Sequence, residues 1–212
     1  MTAAVPTKLI LTTFKTSANS NKAVIGLHGW AGDEKSFLPV AKAVNLKSSN
    51  WFMPRAPYDA DAKSGGTWFS GTEKSGWNYK KSWDGLDDLL KEINSRGFSS
   101  KNTYLVGFSQ GAAFALEYSQ RLPFKLGGIV AIAGFIKNID KLARESSPAS
   151  LNNSILILHG EQDDIIAPFH SKKIFDFLSK RGNTVRLETY PARHNITAEA
   201  ISLINDFIEN NK

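Results

Sequence analysis

One short stretch, Leu105-Val106-Gly107-Phe108-Ser109-Gln110-Gly111, constrains this chain more than any other. Residues 103–106 are β-branched and apolar, as a buried strand requires, and residues 111–120 are rich in Ala, Leu, Glu and Gln, as a helix prefers. A serine between two such elements stands on a sharp, strained turn, where strand and helix pass so closely that only small neighbours fit. Gly107 and Gly111 supply that room, and Ala112 and Ala113 continue the small face. Such a turn lifts a serine hydroxyl to the top of a sheet, where it can act as a nucleophile. The pentapeptide alone recurs by chance. The strand before it and the helix after it single out Ser109.

The rest of the chain supplies a sheet for that turn. Apolar runs at residues 9–14, 23–27, 51–53, 103–106, 128–132, 155–158 and 185–190 are predicted strands. Several are nearly continuous hydrophobic runs, as in strands covered on both faces of a parallel sheet. Between them, residues 83–95 place Leu86, Leu89, Leu90 and Ile93 on one helical stripe. Residues 171–180 do the same with Ile174, Phe175 and Leu178, and residues 197–209 with Ala200, Ile201, Ile204, Phe207 and Ile208, Thr197 serving as N-cap. Strands alternating with helices predict a doubly wound α/β fold with a mostly parallel central sheet. With 212 residues and no linker or repeat, 1–212 is expected to form a single domain. Residues 54–82 break the pattern. Their glycines and large aromatics predict an ordered loop, either the wall of a pocket or a surface crossover whose rings pack down.

Composition excludes more than it assigns. The chain has no cysteine, which removes disulfides, thiolate metal sites and a cysteine nucleophile. The N-terminal segment does not read as a secretory signal. Residues 126–136, the longest apolar run, fall well short of the ~20 residues a membrane span needs. A cytoplasmic location is therefore expected. The net charge of +6 comes from scattered lysines without a long basic run. That predicts a solvated basic surface with at most weak attraction to an anionic membrane, and no nucleic-acid partner.

A serine hydroxyl is a poor nucleophile near neutral pH and needs a base, which in turn needs a group to orient it. Of the four histidines, His28 and His159 directly follow strands and His170 opens a helix. His194 lies between the last strand and the last helix. In α/β-hydrolases the order is serine, acid, histidine, with the base after the final strand. Only His194 meets that requirement. The acid is sought in His159-Gly160-Glu161-Gln162-Asp163-Asp164. Counting from the glycine selects Asp163; counting back from Pro168 selects Asp164. The turn begins at the glycine, so Asp163 is expected. Backbone amides must stabilise the charge that develops on the substrate carbonyl. Gln110 supplies one from the turn itself, and Trp30, in His28-Gly29-Trp30-Ala31-Gly32-Asp33, is expected to supply the other.

With these pieces in order, the chain resembles the phospholipase/carboxylesterase family of α/β-hydrolases, which includes the acyl-protein thioesterases. The likeness runs over nearly the whole length. Leu27-His28-Gly29-Trp30-Ala31-Gly32-Asp33 looks like the family's L-H-G-x-G-D turn with one extra residue. Pro54-Arg55-Ala56-Pro57 resembles P-x-A-P, Trp68-Phe69 the W-F pair, and Gly107-Phe108-Ser109-Gln110-Gly111 is G-F-S-Q-G itself. Ala133-Gly134-Phe135 stands where the family has S-G-Y or S-G-W, and His159-Gly160-Glu161-Gln162-Asp163 fits H-G-x-x-D. The resemblance implies a triad of Ser109, Asp163 and His194, and an α/β-hydrolase fold with helices on both faces and no large lid. It implies substrate contacts from Trp68, Phe69 and Phe135. It also implies no metal or cofactor, and substrates that are small carboxylic esters, lysophospholipids or S-acylated proteins. Two departures stand out. Arg193 replaces the usual glycine before the histidine, either lowering its basicity or pointing outward, and Ala167 takes a usual proline position. The expected function is a serine carboxylesterase or thioesterase, working as a monomer or small homo-oligomer. The competing readings are another α/β-hydrolase reaction on peptides or lactones, and a hydrolase fold that only binds.

Overall fold

The computed structural model describes residues 8–61 and 64–210. The start of the segment read for a leader (1–7) and two positions of the aromatic loop (62 and 63) lie outside the described residues. The strands are β1 (Leu11–Lys15), β2 (Lys22–Leu27), β3 (Ser49–Pro54), β4 (Tyr58–Asp59), β5 (Gly66–Thr67), β6 (Ser70–Thr72), β7 (Gly76–Asn78), β8 (Thr103–Phe108), β9 (Gly128–Ile132), β10 (Ser154–Gly160) and β11 (Thr184–Tyr190). The helices are α1 (Leu38–Val44), α2 (Lys80–Ser95), α3 (Gln110–Ser119), α4 (Ile139–Glu145), α5 (Phe169–Arg181) and α6 (Ala198–Asn210).

All seven predicted strands join one sheet, in the order β1-β3-β2-β8-β9-β10-β11. Only β1 runs antiparallel, on β3; every other pairing is parallel. The chain leaves β2 for β3 on one side and returns to β8 on the other. The strand order therefore reverses between β2 and β8, and in open α/β sheets ligands bind at the carboxyl ends of the strands flanking such a reversal. Gly29 and Trp30 follow β2 there, and Ser109 follows β8.

Side chains alternate along the strands and so feed two cores. Ile25, Phe52, Leu105, Ile129, Ile155 and Ile157 face α2, α3 and α5. Their neighbours Val24, Trp51, Met53, Val106, Val130, Leu156 and Leu158 face α1 and α6. The helical stripes meet these faces as expected: Leu86, Leu89 and Ile93 of α2 are buried, as are Ile174 and Leu178 of α5, and Ala200, Ile204 and Ile208 of α6. Each such aliphatic side chain contributes about 1.5–3 kcal/mol on burial. The Ala200 amide donates to Thr197 Oγ1, the predicted cap, at 3.3 Å. No helix of the described residues is long and apolar enough to cross a membrane.

Two helices, α1 and α4, were not expected. Each has seven residues, about two turns, too few for a hydrophobic period to register. Asn138 caps α4 by accepting from the Lys141 amide at 2.8 Å. The described residues of the aromatic segment form two small antiparallel hairpins, β4–β5 and β6–β7. A bridge between Gly32 and Gly66 ties the first hairpin to the turn after β2.

The turn after β8 sets the tightest packing. A β-carbon on Gly107 would lie 2.4 Å from the Gly111 carbonyl oxygen, and one on Gly111 would lie 2.2 Å from the Leu27 carbonyl oxygen. These neighbours are backbone and have nowhere to go. Gly111→Ala is expected to cost about 3 kcal/mol of stability, read from the urea midpoint. Gly182→Ala offers a contrast, since its β-carbon would meet open space and only the C-cap conformation of α5 is taxed.

Candidate active site

Ser109 adopts φ 54° and ψ −117°. Its amide donates to the Ile132 carbonyl at 2.8 Å, and its own carbonyl accepts from the Ala113 amide at 3.0 Å. Strand on one side and helix on the other thus fix the direction of the side chain. His194, on the loop between β11 and α6, brings Nε2 to 3.0 Å from Ser109 Oγ and Nδ1 to 2.7 Å from Asp163 Oδ2. A carboxylate accepts only from a protonated Nδ1. Nε2 is then the free lone pair, and the serine hydroxyl donates to it. The imidazole rests on the Phe108 ring, with centroids 4.7 Å apart.

The Asp163 side chain is fully buried. Its Oδ1 accepts from the Ile165 and Ile166 amides, each at 2.9 Å. Burial works to raise its pKa, but the hydrogen bond from His194 and the two amides outweigh it and hold the carboxyl below its ordinary value. The loops carrying acid and base are joined by backbone: the Glu161 amide donates to the Tyr190 carbonyl and the Gln162 amide to the Ala192 carbonyl, both at 2.9 Å.

His159 is a part of the site that sequence reasoning missed. It is wholly buried, with Nε2 2.8 Å from the Ile166 carbonyl oxygen and 3.3 Å from Asp163 Oδ2, and Nδ1 2.5 Å from Ser171 Oγ. A carbonyl must receive a proton, so Nε2 carries it and Nδ1 accepts from the Ser171 hydroxyl. Two imidazoles therefore flank one carboxylate oxygen. The histidine before Gly160 was the available signal, though nothing in a linear sequence reveals which way its ring turns.

Arg193 points outward. Its guanidinium pairs with Asp164 on the surface, each partner stabilising the other's charge. That contact also accounts for Asp164, which is exposed and turned away from His194.

A β-carbon on Gly29 would lie 3.5 Å from Ser109 Cβ, so the turn after β2 closes directly over the serine. The amides of Trp30 and Gln110, the two expected donors, have no hydrogen-bond acceptor among the described residues. His28 braces this turn. Its Nε2 accepts from the Ala56 amide at 3.0 Å, its Nδ1 donates to the Gly29 carbonyl at 2.7 Å, and burial lowers its pKa, keeping it neutral. The Gln110 side chain bridges to the first hairpin, accepting from the Trp68 amide at 3.1 Å and donating to Thr67 Oγ1 at 2.7 Å.

The aromatic expectation needs correction at Trp68. Its indole has no exposed surface; it stacks on Phe114 at 5.1 Å and donates to the His28 carbonyl at 2.8 Å. It supports the site from beneath. Phe69 keeps only a small exposed edge, and Phe135 is half-buried. A wide cleft lined by Leu90, Phe98, Leu122 and Phe124 opens at the start of β8, at the opposite end of the sheet from Ser109. Among the described residues, no group of three or more His, Asp or Glu side chains gathers as metal ligands would.

A hydroxyl, an imidazole and a carboxylate at the carboxyl edge of a largely parallel sheet define an α/β-hydrolase. The family model for phospholipase/carboxylesterase matches residues 11–212. Acyl-protein thioesterase 1 of Debaryomyces hansenii is 31% identical over 216 residues, covering 92% of this chain and 93% of that protein. A probable carboxylesterase of Oryza sativa is 23% identical, over 92% of this chain and 79% of its own length. The crystal structure of esterase PE8 superposes with a TM-score of 0.86 at 24% identity, covering 97% of this chain and all of that one. This chain belongs to the phospholipase/carboxylesterase family, and it is a serine hydrolase of carboxylic esters or thioesters. Asp163→Asn is expected to lower kcat about 10⁴-fold on a p-nitrophenyl ester, because the imidazole would lose its tautomer. Asp164→Asn should change it less than about fivefold, since an exposed ion pair contributes little.

Proposed function

We propose that Ser109 is the nucleophile, His194 the general base and Asp163 the residue that orients it, with acyl transfer running through a covalent ester on Ser109. One observation carries this reading: an unbroken hydrogen-bonded line from Ser109 Oγ through His194 to the buried Asp163 carboxylate. As Oγ attacks the substrate carbonyl carbon, its proton passes to His194 Nε2, and Asp163 stabilises the imidazolium. The carbonyl oxygen becomes an oxyanion between the amides of Gln110 and Trp30; their lack of any other acceptor among the described residues supports this role. Collapse breaks the carbon–oxygen or carbon–sulfur bond, and His194 returns the proton to the departing alcohol or thiol. Water, deprotonated by His194, then attacks the acyl-serine, and Ser109 leaves with its hydroxyl restored.

A thiol and an alcohol leave through the same proton transfer, so the site serves thioesters as well as esters. We extend the substrates to acylated proteins, the kind named for the Debaryomyces hansenii relative, with lysophospholipids as a second class. Phe69 and Phe135 contact the substrate in this reading, on the acyl or the alcohol side.

Ser109→Ala is expected to lower kcat by about 10⁴-fold or more on both a p-nitrophenyl ester and a thioester. A fluorophosphonate probe should label wild type and leave Ser109→Ala unmarked, with circular dichroism unchanged. Labelling of the alanine variant would place the nucleophile elsewhere and sink the assignment.

A further inference from the structure

One cation on the loop after β9 stands apart from the others. Lys137, five residues beyond β9, holds its Nζ 3.0 Å from the ring centroid of Trp77, 4.4 Å from that of Phe69 and 5.8 Å from that of Phe135. The rings come from separate stretches: Phe69 joins β5 to β6, Trp77 lies on β7, and Phe135 follows β9. Phe69 and Trp77 meet edge to face at 5.4 Å, and Tyr79 closes on Phe69 at 5.1 Å. Aromatic faces are the negative ends of their quadrupoles, so this cage holds an ammonium without supplying a countercharge. Among the described residues no carboxylate pairs with Lys137. The acids that act on it do so from a distance: Glu73 in the β6–β7 turn, and Glu117 on α3, which is already paired with Arg121 at 2.7 Å. The Tyr79 phenol stays neutral, pushed up by burial.

Two of the ring-bearing segments are tied to the start of α3, just beyond Ser109. The Trp68 amide, one residue before Phe69, binds the Gln110 side chain at 3.1 Å. Gly134, one residue before Phe135, packs so closely on α3 that a β-carbon there would lie 3.0 Å from Ala112 Cβ. We propose that Lys137 and its aromatic cage form a subsite for a carboxylate carried by the substrate, on the acyl or the alcohol side of the scissile bond. This deepens the reading above and rests on it. A half-desolvated cation without a counter-ion has already lost hydration, so an arriving anion gains attraction at reduced dielectric. The same rings give an apolar floor to the methylenes linking carboxylate to ester.

Burial lowers the Lys137 pKa to about 8. The ammonium exists below that pH and is lost above it, so the preference for an anionic ester should fade as pH rises through this value. Arginine in its place would keep the charge.

The test compares kcat/KM within two substrate pairs. Mono-p-nitrophenyl adipate against p-nitrophenyl hexanoate places the carboxylate on the acyl side; 4-acetoxybenzoate against its methyl ester places it on the alcohol side. In wild type below the Lys137 pKa, one pair should show an anionic-to-neutral ratio that Lys137→Met reduces about tenfold, as for a charge-assisted contact. Above that pKa the ratio should collapse in wild type and persist in Lys137→Arg. The responding pair identifies the side that carries the anion. Ratios unchanged in both pairs, or an equal loss on both members of each pair, would overturn the subsite. Turnover of the neutral esters by Ser109→Ala would instead overturn the reading beneath it.

Discussion

Where β8 turns into α3, the main chain at Ser109 is held at φ 54° and ψ −117°, a region that residues with a β-carbon occupy only at a cost of order 1–3 kcal/mol. That cost is met by the surroundings. The Ser109 amide and carbonyl are tied to β9 and α3, and the missing β-carbons of Gly107 and Gly111 let helix and strand close to backbone contact. Everything at the site follows from that closeness. Because α3 begins against the end of β2, the turn at Gly29 lies over the serine.

The electrostatics repeat the same economy. Asp163 is buried, where a lone carboxylate would be costly, and it is satisfied by two amides, by His194 and by the flank of His159. Its charge is therefore stable in place, with its Oδ2 fixed toward His194. The exposed Arg193–Asp164 pair sits one residue along on each loop. Screened by solvent, it adds little energy. It does keep a cation from resting on the imidazole.

How much of this was legible in the sequence varied with the length of the feature. Ile25, Val106, Val130 and Leu156 sit in apolar runs, and those runs marked their strands; the strand beginnings and ends moved by one or two residues because pairing, not composition, sets where a ladder stops. The expectations for Ser109 and His194 rested on the order of elements, whereas Asp163 and Asp164 both satisfied that order and were separated only by counting from Gly160. The helices α1 and α4 did not show, being two turns long. Nor did the hairpins at Tyr58–Asp59 and Ser70–Thr72, where a few residues pair through backbone alone. Trp68 illustrates the limit of reading a pocket from aromatics. Its neighbour Phe69 touches Lys137, while Trp68 itself turns inward onto Phe114; both lie between β5 and β6, where the direction of each ring depends on packing that no local pattern carries. The direction of the Arg193 side chain was undetermined for the same reason.

The most direct measurement of the central claim is the covalent intermediate itself. The protein would be mixed with a p-nitrophenyl ester, quenched in acid during the first turnover and digested for mass spectrometry. The account predicts one acyl group per chain, carried by the peptide that contains Ser109, formed together with a burst of p-nitrophenol. An acyl group found on another residue would contradict it, as would complete product formation with no acyl-protein at any quench time despite rapid deacylation-blocking acidification.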